Sequence, residues 1–109
     1  MDEKLFVKIQ KQPNSPLRCI ANHFAARPGS TVVFTFPGQK QATIEFHGGK
    51  GDSPFDQERF SLEPVGSAGA ALQQVREDAD ERSYGYIVSW KDQNGDGLGN
   101  GGGEVLPHR

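Results

Sequence analysis

The chain carries one cysteine, one methionine and one tryptophan, and none of its apolar runs approaches the ~18–20 residues of a membrane-spanning helix. A lone Cys19 excludes an internal disulfide framework, so a hydrophobic core has to hold the fold. An excess of charge of one sign is also missing. The formal net charge is −2, unlike the strongly basic balance with which domains meet phosphate backbones, so neither nucleic acid nor membrane is an expected partner. The opening Met1-Asp2-Glu3-Lys4 has neither the basic start nor the apolar stretch of a signal peptide. With a single thiol this sets the expectation of a cytoplasmic, bacterial-type protein. Catalytic motifs are lacking too: there is no Gly-x-Ser-x-Gly elbow, no His-Glu-x-x-His and no phosphate-cradling Gly-x-x-x-x-Gly-Lys-Ser/Thr. A trio of Ser53, His47 and Asp52 can be assembled on paper, but such trios arise by chance in many loops, and no enzyme is expected.

What the chain does have is punctuation. Fourteen glycines and seven prolines separate short apolar runs within 109 residues, a length that fits one domain over 1–109. After Pro28-Gly29-Ser30, the run Thr31 to Phe36 alternates, with Val32, Phe34 and Phe36 on one face and Thr31, Val33 and Thr35 on the other. Pro37-Gly38-Gln39-Lys40 supplies turn chemistry, and Ala42, Ile44 and Phe46 alternate with Thr43, Glu45 and His47. These two runs read as a hairpin. Tyr84, Tyr86, Val88 and Trp90 load one face of a further strand with aromatic rings, which marks it as central to the core. The stretch from Asp92 to Gly103 then reads as a long glycine-rich loop, closed by the short return Glu104-Val105-Leu106.

At the other terminus Leu5, Val7 and Ile9 alternate with Lys4, Phe6 and Lys8, a first strand with a basic outer face suited to a sheet edge. Leu17 to Ala21 and Phe60 to Val65 are weaker strands. Ser67 to Asp80 fits one short helix or one irregular strand, because Ala68, Ala71, Leu72, Val75 and Ala79 follow helical spacing while Gly69 opposes it. The expected fold is all-β: a Greek-key sandwich of about 6–8 strands with at most one short helix.

The order of these pieces resembles a cupredoxin over residues 3–106. There is an early strand, a Pro-Gly turn into Val32-Val33-Phe34-Thr35-Phe36, a second strand, a variable middle, then Tyr84-Gly85-Tyr86 and a closing hairpin. An immunoglobulin-like sandwich suits the same motifs. The resemblance implies a cysteine ligand where Val88 stands, a histidine where Lys91 stands and a first histidine near Ala42, while the only methionine is Met1. Since blue copper needs a thiolate and two imidazoles, the resemblance implies the scaffold without copper. Cys19 and His23 with His47 or His108 match no specific zinc spacing, and a buried thiol beside surface imidazoles is the simpler expectation.

The remaining candidates concern binding. Asp92, Asn94 and Asp96 followed by Gly97 resemble the opening of an EF-hand calcium loop, whose twelfth position falls on Gly103 with Glu104 one residue late. Asn-Gly and Asp-Gly turns explain the same residues without metal, so no cofactor is expected and Ca²⁺ is the alternative. Phe55 and Phe60 leave a strand end, where they cap the core or line a small ligand groove. Charge is uneven: residues 1–40 carry six Lys/Arg against Asp2 and Glu3, and residues 41–109 carry six against twelve acids. This asymmetry and the acidic run from Glu77 to Glu81 read most simply as solvated surface, with contact to a neighbouring copy as the alternative. The function expected is a non-catalytic module binding a protein or small ligand, with a homo-oligomer as one form of assembly.

Overall fold

The computed structural model describes residues 4–46, 53–91 and 98–109. Within them the chain forms eleven strands: β1 (Lys4–Lys8), β2 (Lys11–Gln12), β3 (Ser15–Cys19), β4 (Asn22–Ala26), β5 (Thr31–Phe36), β6 (Thr43–Phe46), β7 (Arg59–Ser61), β8 (Glu63–Val65), β9 (Ala68–Gln74), β10 (Tyr84–Lys91) and β11 (Leu98–Pro107). They make a β-sandwich of two sheets, one ordered β1-β5-β9-β8 and the other β2-β3-β11-β10-β6-β7, with β4 also paired to β11. The tally exceeds the expected 6–8 because continuous stretches divide. β3 and β4 run successively along β11, and β7 and β8 carry one stretch from the larger sheet to the smaller.

The alternation of apolar residues places the core as expected. Val32, Phe34, Phe36, Ala42, Ile44, Phe46, Tyr86, Val88 and Trp90 are all buried in one cluster. Phe34, fully buried in the smaller sheet, meets the rings of Phe24, Phe55, Phe60 and Tyr86 at centroid separations of 5.7–6.0 Å. Such edge and tilted pairs each add about 0.5–1.5 kcal/mol beyond area burial.

Two expectations require correction, and one open alternative is decided. Strands β5 and β6 do not form a hairpin, because β5 pairs with β1 and β9 while β6 pairs with β10 and β7. The turn at Pro37–Lys40 therefore crosses between sheets. Alternation fixes which face of a strand is buried, and both arrangements bury the same faces. The stretch from Ser67 is strand β9 and not a helix: antiparallel pairing of Ala68–Gln74 with β8 and β5 overrides a weak helical spacing that already contains Gly69.

The second correction concerns the glycine-rich stretch. Gly99 to Gly103 lie within β11, in register with Trp90 to Tyr86, and none of them has a positive φ. Their glycines serve space. A Cβ at Gly99 would collide with the Trp90 indole, one at Gly101 with the Cys19 sulfur, and one at Gly103 with the Tyr86 ring and the Asn22 carbonyl. Large side chains on the neighbouring strands thus occupy the room that β11 leaves.

Two stability measurements follow. Phe34→Ala should cost about 3–5 kcal/mol in a denaturant melt, and a loss below about 1 kcal/mol would contradict the ring cluster. Gly101→Ala should cost about 1–3 kcal/mol, and Cys19→Ala should recover part of it in a double-mutant cycle, because the two changes compete for one space.

Candidate functional site

The resemblance to cupredoxins directs attention to the end of the sandwich where β5 crosses to β6 and β10 ends. Ala42 and Val88 are buried there and apolar, and Lys91 is exposed. Two aliphatic side chains and an ammonium offer copper neither thiolate nor imidazole, so these residues do not fit a type-1 copper centre. The end is closed by Gln39. Its buried amide donates to the carbonyls of Gln41 and Lys91, at 3.0 and 3.3 Å, and its Oε1 accepts from Lys11 Nζ at 3.4 Å. The Lys11 ammonium also lies 5.9 and 6.0 Å from the ring centroids of Phe36 and Trp90, a cation–π arrangement that holds β2 against this end.

Beside this closed end, the outer surface of the larger sheet forms a solvent-open groove of about 820 Å³. Its floor follows from register. Asn100 on β11 pairs with Ser89 on β10, Ser89 with Thr43 on β6, and Thr43 with Ser61 on β7. Ile44, Phe60, Val88 and Trp90 turn inward, which leaves the four polar side chains in one outward row across adjacent strands about 4.8 Å apart. Ile87 adds an apolar wall, Lys91 and Glu63 supply opposite charges, and Arg18 donates to Asn100 Oδ1 at 2.6 Å. Sequence reading missed this row because its members come from four separate segments and carry no motif. Only the outward positions of three alternating strands pointed to it.

Asp92, Asn94, Asp96, His47 and Asp52 lie outside the described residues. Glu104 stands in β11 opposite Gly85, and at about 3.3 Å per residue it lies roughly 20 Å along the strand from Leu98, beside His23 Nδ1 at 3.8 Å. Phe55 and Phe60 are 2% and 7% exposed and pack against Phe34 and each other, so their rings cap the core, and Phe60 also borders a surface notch. Ser53 is engaged locally: its hydroxyl donates to Gln57 O at 2.8 Å and accepts from Phe55 N at 3.1 Å, and its carbonyl accepts from Arg76 at 2.7 Å. Cys19 is buried against Gly101 while His23 and His108 are exposed, and no cluster of three metal-ligating side chains occurs among the described residues.

The chain is an all-β sandwich whose larger sheet carries a solvent-open groove over an outward row of four polar side chains. No family model matches the chain, and no curated protein does. Among solved structures it is similar to a chain in the cryo-EM structure of a heme-copper terminal oxidase dimer, with 10% identity and a TM-score of 0.45, over 98% of this chain. The match spans 65% of that chain's length, and it carries no residue or activity over to this protein. Among the described residues, no helix is long and apolar enough to cross a membrane.

Burial perturbs two groups behind the sheet. Desolvation raises the Cys19 thiol above its ordinary value of 9.0. It also raises the Tyr86 phenol, with the nearby thiol adding to the shift, and that hydroxyl reaches Asn22 O at 3.5 Å. Both groups are neutral when protonated, so at alkaline pH the folded chain keeps protons that the unfolded chain releases. Their contribution is complete below the ordinary values and is lost as pH rises through the raised ones. Urea midpoints should accordingly fall as the pH rises above 9.0, and the fall should be smaller in Cys19→Ala. Two metal tests belong to the same geometry. Cu(II) should produce no intense blue absorption, and such a band abolished by Cys19→Ser would contradict the reading of Ala42, Val88 and Lys91. Millimolar Ca²⁺ should shift the melting temperature by less than about 2 °C, and a larger rise removed by Asp92→Ala would contradict the expectation of turns without metal.

Proposed function

We propose that this protein is a non-catalytic, copper-free binding module of cupredoxin-like architecture, and that its groove takes a small, neutral, hydroxyl-rich ligand. The observation that carries this reading is the outward row Asn100–Ser89–Thr43–Ser61. Hydroxyl and amide groups both donate and accept, so a row of them at strand spacing matches a ligand that presents hydroxyls at intervals across the sheet. Lys91 and Glu63 stand in the same groove with opposite charge, which gives neither an anion nor a cation a uniform field. A non-catalytic role is supported by the local hydrogen bonds of Ser53 and by the burial of Cys19 where His23 and His108 are exposed. An unpaired buried thiol suits a reducing compartment such as a bacterial cytoplasm.

The test is an amide chemical-shift titration of the labelled protein with a panel of simple sugars and polyols. Shifts should concentrate at Thr43, Ser61, Ser89 and Asn100. Thr43→Val and Ser89→Ala should each weaken binding about fivefold, the size of one ordinary hydrogen bond near 1 kcal/mol. A panel that leaves those four amides unmoved would overturn the proposal.

A further inference from the structure

The outer face of the smaller sheet carries one apolar row between polar ones. Phe6 on β1 is in register with Val33 on β5, and Val33 with Leu72 on β9, so the three form one row on that face. Phe6 is 69% and Leu72 61% exposed, yet Val33 between them is only 8% exposed. The next row runs Lys8, Thr35, Ala70, Glu63, with a cation at one edge of the sheet and an anion at the other. Beside Leu72, where β8 has ended, Ser61, Glu63 and Gln73 border a notch.

We infer that this face binds a second copy of the same chain, the two sheets packing face to face about a two-fold axis parallel to their strands. Charge selects that axis. A two-fold axis perpendicular to the strands would lay β1 over β1 and set Lys4 against Lys8, whereas the parallel axis lays β1 over the β8 edge and sets Lys8 against Glu63 in the same row. The parallel axis also brings Val33 over the partner's Leu72 and directs Phe6 to the notch beside it. Four strands about 4.8 Å apart and five residues of about 3.3 Å give a face of roughly 300 Å², far below the area of a tight interface, so the dimer is weak and concentration-dependent. Ser61 and Glu63 line the ligand groove as well, so the edge of the dimer contact adjoins that groove.

Sedimentation equilibrium of the full chain up to about 1 mM tests this, a range chosen because small interfaces bind weakly. The mass should rise toward the dimer with concentration. Phe6→Lys should remain monomeric, and Lys8→Glu and Glu63→Lys should each raise the dissociation constant at least about tenfold. The double variant Lys8→Glu/Glu63→Lys should restore association, which a merely unfolded or generally repulsive chain would not do. Thermal melts should show every variant folded, since all three positions are exposed. A wild-type chain that stays monomeric, a dimer indifferent to Phe6→Lys, or a double variant without recovery would each overturn the inference.

Discussion

The sandwich depends on the contact of one phenylalanine with rings that belong to other elements. Phe34 projects from the smaller sheet into a cage made by Phe24 and Tyr86 of the larger sheet, Phe60 of β7 and Phe55 of the preceding connection. Because these rings come from positions far apart in sequence, their packing is what brings the two sheets together. The path of the chain around them follows. The stretch holding Phe55 is tied to the end of β9 by the Arg76 amide on Pro54 O and by the Arg76 guanidinium on Ser53 O, which closes one end of the core. Gln39 closes the other.

Rings of this size need room, and β11 provides it. Trp90 and Tyr86 lie against Gly99 and Gly103, and Cys19 from the opposite side lies against Gly101. The glycines give up side-chain contacts of their own and gain close approach of β11 to β10 and to β3 and β4. That approach has a functional consequence. It sets Asn100 beside Ser89 on the outer surface and so completes the polar row that the proposed ligand would meet.

Much of this was legible in the residues. Alternation at Thr31–Phe36 and Tyr84–Lys91 gave the buried faces, Lys4 and Lys8 marked β1 as an edge, and scattered Gly and Pro excluded long helices. Sheet membership was not legible, because a strand with one buried face obeys the same period whether its neighbour in sequence pairs with it or faces it across the core. The glycines of β11 misled for a definite reason: glycine signals a turn by its freedom in φ, but here it answers to bulky neighbours some ten to eighty residues away in the chain. The groove was invisible for the same reason. Its four polar residues acquire a common position only through register, and Phe55 and Phe60, open to capping the core or lining a groove, pack on Phe34.

The account stands on β11 being a paired strand through its glycines, since both the accommodation of the rings and the polar row require it. Amide hydrogen exchange read residue by residue measures this directly. The account predicts that the amides of Gly99 to Val105 are protected to the same order as those of Tyr86 and Val88 on β10. Exchange of Gly99 to Gly103 at the rate of an open loop, with β10 still protected, would contradict it.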